Sequence, residues 1–271
     1  NIAMQKKPMP PRFLVKEITS PPAAARQNFG SVRQKQQQAV SSNYINAPNN
    51  NYINNNNNSS SNNYNGKNIL VIGGATRGSG TQSLWESNQI DITSLDLVGT
   101  ENVDYIADAH YLPFKNETFD GVWIQAVLEH VVSPEMVVNE IFRVLKKNGY
   151  VYSEIPFMQQ IHMGKNDFTR YTASGHRFLF KNFEKINVGT NGGPGTSLSW
   201  SLKYFIWSFT NEKIANILTI IPFFILRLFD KLLSERVSWD GSSGFYFFGK
   251  KNIKFKFDKE ELNQIYKGKQ I

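Results

Sequence analysis

The chain has no cysteine among its 271 residues. That excludes disulfides, thiolate metal sites and a cysteine nucleophile, and no metal ligand set is expected. It also fits a reducing compartment. The N-terminus is basic, but the apolar core of a secretory signal does not follow it, so the expected location is cytoplasmic. Long apolar runs are lacking as well. The nearest is ILTIIPFFIL (217–226), which carries Pro222 and is about half the 18–20 residues of a spanning helix.

Basic charge is scarce where it would matter for a nucleic-acid surface. The net charge is +8, but residues 1–66 hold +6 of it, with seven Lys/Arg against one acid. The stretch 250–271 has seven Lys against three acids, which leaves the body 67–249 at −2. The body therefore gives no sign of nucleic acid as a substrate.

Apolar residues are sparse in 1–66. The 26 residues from Ser41 to Gly66 include 13 Asn, after the glutamine-rich QKQQQ (34–38). Such a composition cannot offset its ordering entropy by burial, so a disordered arm is expected over 1–66 and a folded domain over 67–271.

From Lys67 the pattern changes to alternating strands and helices. Strands are expected at 69–72, 92–97, 103–108, 119–125 and 150–157, then at 183–189 and 244–251. A helix is expected over 79–88. A second starts at Pro134 behind a Ser133 cap and runs through PEMVVNEIFRVLKKNG to a stop at Gly149. The apolar and aromatic stretch 196–233 reads as helical. Strand–helix alternation at this spacing implies an α/β fold: a doubly wound, mostly parallel seven-stranded sheet with helices on both faces. A helical insertion over about 196–235 precedes the last strand.

ILVIGGATRGSG (69–80) is a strand breaking into glycines, which lets backbone approach a nucleotide at a helix N-terminus. Asp96 ends the second strand and can bind ribose hydroxyls. Two enzyme classes share these features. Gly74, Gly78 and Gly80 are spaced as in short-chain NAD(P) dehydrogenases. Those enzymes need Tyr-x-x-x-Lys on a helix, and Tyr246 and Lys250 instead fall in a stretch that reads as the last strand. The stretch DAHYLPFKNETFDGVWIQAVLEHVVSPEMVVNEIFRVLKKNGYVYSEIP (108–156) resembles class I S-adenosylmethionine-dependent methyltransferases of the ubiquinone/menaquinone type. The resemblance spans about 67–190 and implies a Rossmann-like fold. Val71 stands where that family's first motif has an acid, and the glycine loop is longer than usual.

The resemblance implies S-adenosylmethionine (SAM) as cofactor and methyl transfer as the reaction. It places Gly73, Gly74, Gly78 and Gly80 against the methionine part, Asp96 on the ribose, Asp108 and Ala109 at the adenine, and Gln125 at the end of strand four. Candidate bases are His130, after strand four, and His162, after strand five. Asp167, Arg170 and Tyr171 follow His162, where acceptor-binding loops occur, and offer an acid, an anion-binding fork and a phenol. The expected acceptor is a small molecule or a lipid- or saccharide-linked one. The stretch 196–233, flanked by Lys203, Lys213, Arg227 and Lys231, reads as a lid, an acceptor-binding insertion or a peripheral membrane contact. The lost motif-one acid leaves a third reading open, a non-catalytic methyltransferase-like subunit.

Overall fold

The computed structural model describes residues 67–78, 81–87 and 90–270. The expected disordered arm and Gly80 lie outside them. Seven strands form one sheet: β1 (Lys67–Ile72), β2 (Ile90–Asp96), β3 (Tyr105–Ile106), β4 (Phe119–Gln125), β5 (Leu145–Pro156), β6 (Glu184–Thr190) and β7 (Gly244–Lys250). Their order is β3-β2-β1-β4-β5-β7-β6. β1 to β5 run parallel, and β7 pairs antiparallel with both β5 and β6. The chain reverses from β1–β2–β3 on one side to β4–β5 on the other. The C-terminal ends of β1 and β4 therefore flank the switch point where such sheets bind ligands.

One sheet face carries the core. Val122 and Ile124 of β4 and Val151 and Ile155 of β5 alternate toward helix α2 (Pro134–Val144), whose Val137, Val138, Ile141 and Val144 are at most 2 % exposed. Each such side chain stabilises the fold by about 1.5–3 kcal/mol. Pro134 takes the first helical position, as expected, but the Ser133 side chain makes no capping bond. The helix also ends earlier than its sequence suggests. Leu145 turns extended at φ −71°, ψ 137° and its buried side chain begins β5. Gly149 is thus a strand residue. A Cβ there would lie 3.0 Å from the Asp120 and Lys146 carbonyl oxygens, so glycine serves close approach rather than helix termination.

The opposite face is aromatic and half-buried. Trp123 stacks on Tyr152 with centroids 4.1 Å apart, and Tyr152 lies parallel to Tyr246 at 6.1 Å. Between β1 and β2 the described residues include the single turn α1 (Gln82–Trp85), within the expected helix over 79–88, of which 79, 80 and 88 lie outside the described residues. β3 likewise shrinks to two residues.

Beyond β5 come α3 (Ala173–Leu179), α4 (Pro194–Trp207), α5 (Glu212–Asp230), α6 (Glu235–Asp240) and α7 (Glu260–Ile265). α4 and α5 pack against each other as a hairpin before β7. Asp230, at the end of α5, closes it by accepting from the backbone N–H groups of Gly193, Gly195 and Thr196 at 3.1, 2.6 and 2.8 Å. An acid at a helix N-terminus satisfies donors that the helix cannot. The described part of the basic C-terminal stretch is folded rather than loose. Arg177 of α3, fully buried, holds Glu261 of α7 through Nε at 2.8 Å and Nη2 at 3.0 Å. No described helix is long and apolar enough to cross a membrane.

Candidate functional site

The turn after β1 is built for close approach. Gly73 has φ +85°, and a Cβ there would strike Val127. Gly74 has its own limit, because a Cβ would lie 2.8 Å from that of Ser94. Both glycines donate to the Leu95 carbonyl, at 2.8 and 3.1 Å, which pins the turn to the end of β2. A Cβ on Gly78 would strike Gln125 Oε1, so the loop folds back over the end of β4.

Asp96 ends β2 beside this turn. Its Oδ2 accepts from Ala75 N at 3.0 Å and its Oδ1 from Val98 N at 3.0 Å. Each oxygen keeps a lone pair for a further donor. Leu97 and Val98 next to it are 67 % and 61 % exposed. A carboxylate with spare acceptor capacity, an apolar shelf and a glycine cradle together fit a nucleoside carrying a charged tail.

The other predicted cofactor residues are engaged by neighbouring groups. Asp108 Oδ1 accepts from His110 N at 2.9 Å and lies 2.6 Å from His110 Nδ1. Ala109 is buried in the core beside Leu112. Gln125 Nε2 donates to Glu154 Oε2 at 2.7 Å. Glu154 was not singled out by sequence, because an acid in a strand reads as solvent-facing. It shares the aromatic sheet face, and Tyr152 Oη donates to its Oε1. Burial pushes its carboxyl up to about 7, against hydrogen bonds from Tyr152 and Gln125 and with the Glu129 charge adding to the rise.

On the acceptor side the structure joins residues from two segments. The 3₁₀ turn Leu128–His130 follows β4, and the loop 157–172 follows β5. His130 and His162 meet edge-on with ring centroids 4.8 Å apart. Both face Glu129, a third residue that sequence reasoning passed over. His162 is held by Asp167, whose Oδ2 accepts from its backbone N at 2.8 Å. Burial would raise the Asp167 carboxyl, but the bonds from Arg170 and His162 with the guanidinium charge outweigh it and hold it at about 2.

Arg170 differs from the expected anion fork. Its guanidinium holds both Asp167 oxygens and the carbonyls of Gln159, Gln160 and Thr169. Its donors are spent inside the loop, so Arg170 and Asp167 shape that loop. Tyr171 packs against the main core. Tyr246 and Lys250, the dehydrogenase pair, sit four residues apart on strand β7 rather than on a helix, opposite Glu154 and Tyr150 respectively. That is no proton-transfer pair.

Residues 74–153 match the model of the methyltransferase domain family. The chain carries a class I SAM-dependent methyltransferase domain. SAM is accordingly its cofactor, and the cradle of Gly73, Gly74 and Asp96 fits that molecule. The methyltransferase domain is 34 % identical over 68 residues to a demethylmenaquinone methyltransferase of Clavibacter sepedonicus, covering 25 % of this chain and 28 % of that protein. The match thus spans under a third of that relative's length. Among solved structures it is similar to a SAM-dependent methyltransferase from Thermotoga maritima (TM-score 0.47, 16 % identity, 84 % of this chain and 96 % of the other). It is also similar to Haemonchus contortus phosphoethanolamine N-methyltransferase 2 (TM-score 0.44, 16 % identity, 69 % and 49 %). Both likenesses are too distant to carry information on the acceptor.

Proposed function

We propose that the protein moves a methyl group from SAM to a small-molecule or lipid- or saccharide-linked acceptor. The observation that carries this reading is the Gly73–Gly74 turn pinned beside the Asp96 carboxylate at the sheet's switch point. The sulfonium supplies an electrophilic methyl, so the chain's own work is binding and alignment. Asp96 accepts the ribose hydroxyls and the glycines admit the methionine part. Gln125, tied to Glu154, bounds the site from the end of β4. Asp108, half-exposed, is the expected partner of the adenine side.

The acceptor is expected against the loop 157–172 and the hairpin α4–α5, which are joined there. Gln160 Nε2 donates to Ser201 Oγ at 3.0 Å, and Tyr204 Oη donates to the Ile161 carbonyl at 3.0 Å. The hairpin exposes Phe205, Ile217, Ile221, Phe224 and Ile225, each at least half accessible. A greasy acceptor, or the membrane that holds one, matches that surface. Proton removal, where the acceptor needs it, takes place beside Glu129, His130 and His162.

Calorimetric titration of the full chain with SAM, S-adenosylhomocysteine and NADPH tests the reading. We expect binding of the first two and none of NADPH, with at least a tenfold loss in Asp96→Ala. A folded chain that binds none of them favours the non-catalytic subunit. Binding of NADPH alone restores the dehydrogenase.

A further inference from the structure

Glu129 is fully buried, and neither of its carboxylate oxygens has a hydrogen-bond partner. An uncompensated buried carboxylate costs several kcal/mol. Two imidazoles face it. His130 Nε2 lies 3.6 Å and His162 Nε2 3.5 Å from its Oε1, too far for hydrogen bonds.

The other ring nitrogens settle which atoms face inward. His130 Nδ1 lies 2.8 Å from the Asn166 carbonyl, which only accepts, so Nδ1 carries the hydrogen and Nε2 presents a lone pair. His162 Nδ1 lies 3.4 Å from the Gln160 carbonyl, 3.5 Å from Asp167 Oδ2 and 3.5 Å from Arg170 Nη2. Two of these three neighbours are acceptors, which again favours a lone pair on Nε2. Three lone-pair atoms thus converge on one point, all within 4.8 Å of one another. Such a group repels itself unless a cation or a proton lies between.

The two carboxylate-to-imidazole distances fit a metal. Ligands about 2.0–2.2 Å from a tetrahedral ion stand about 3.3–3.5 Å apart, close to the two distances found. A carbonyl behind one imidazole, and a carbonyl and a carboxylate behind the other, are the supports that metal-bound imidazoles use. We propose that Glu129, His130 and His162 form a three-ligand site for a divalent transition-metal cation, with the remaining position open to an oxygen ligand.

Two imidazoles with one carboxylate suit Zn²⁺, Fe²⁺, Co²⁺ or Mn²⁺ rather than Mg²⁺ or Ca²⁺. The site lies at the C-terminal ends of β4 and β5, the edge at which ligands of such sheets bind. Where the methyl-transfer reading holds, a hydroxyl of the acceptor takes the open position and its acidity rises there. The histidines are then ligands, and the cation lowers the hydroxyl's pKa so that its proton passes to solvent water while the oxygen takes the methyl and the sulfur keeps the S–C bonding pair. Cation binding itself does not depend on that reading.

The test uses the full chain without an affinity tag, stripped with chelator and titrated with Co²⁺. The readouts are visible ligand-field absorption and calorimetry, with Zn²⁺ in competition. One ion per chain is expected, with an imidazole-type spectrum and at least tenfold weaker binding in His162→Ala and in Glu129→Gln. His162→Ala alters a loop, so it decides the matter if Glu129→Gln fails to fold; circular dichroism checks both. No binding by the folded chain, or binding unchanged in folded His162→Ala, overturns the site. SAM titrations of the same samples separate the two readings. Cobalt without SAM leaves the cation site standing and removes the methyl donor, and SAM without cobalt does the reverse.

Discussion

Gln125 and Glu154 close β4 and β5 as paired neighbours in the parallel register, and the Gln125 amide donates to the Glu154 carboxylate at 2.7 Å. The pair places an acid of raised pKa under the glycine loop. Its folded value, about 7, stands above the ordinary 4.5. The protonated form is therefore favoured in the fold. The associated stability is complete below pH 4.5 and is lost as pH rises through 7, up to about 3 kcal/mol. Glu154→Gln should flatten this window. Urea unfolding at pH 5 and pH 8, in chelator, checks it. An equal loss in wild type and variant would place the cause elsewhere.

His176 carries the opposite dependence. It is buried against Phe180 and Phe247, with Nε2 2.9 Å from Ser153 Oγ. Burial pushes its pKa from 6.5 down to about 3. Its contribution is present above pH 6.5 and is lost as pH falls toward 3. His176→Gln should be less stable than wild type at pH 7, and the gap should narrow by pH 4.5. Thermal melts at both pH values read this out.

The Arg177–Glu261 pair spans 84 residues. Arg177 also donates to the Phe180 and Phe183 carbonyls at 2.7 and 3.1 Å and faces the Phe247 ring at 5.4 Å. Removing it strands an acid and two carbonyls together. Arg177→Met should cost about 3–5 kcal/mol, the usual loss when one partner of a buried pair is removed. Arg177→Lys should recover only part of it, since an ammonium cannot fork. Denaturant midpoints decide, and a loss below about 1 kcal/mol would show that the pair is dispensable.

Gly73→Ala should weaken SAM binding at least tenfold without unfolding the chain. The residue has φ +85°, costly for alanine by about 1–2 kcal/mol, and the new methyl meets Val127. Val127→Ala in the same chain relieves the clash but not the backbone strain, so recovery should be partial. Full recovery would make the contact alone responsible.

Much of the sheet was legible because parallel strands with apolar side chains on both faces leave continuous apolar runs, as Ile69–Ile72 and Val122–Ile124 do. The glycine turn and Asp96 were legible because backbone approach and strand-end acids leave a local mark. The loop after β5 was located but its roles were not. Arg170 was expected to bind an anion and is consumed by its own loop. Glu129 and Glu154 left no signal, because an isolated acid in a sequence looks solvated. Helix ends also slipped, as at Val144, where Leu145 prefers the core in an extended backbone to one more helical turn.

By itself, then, the sequence determined the alternation of elements, the cofactor turn and the family, since these rest on local periodicity and short motifs. Tertiary structure alone decided which polar groups meet. Glu129 faces His162, 33 positions further along the chain, and Arg177 reaches Glu261 in the C-terminal stretch. Such pairings depend on strand order and loop path, which bring distant residues within a few ångströms and remove the water that would otherwise screen them.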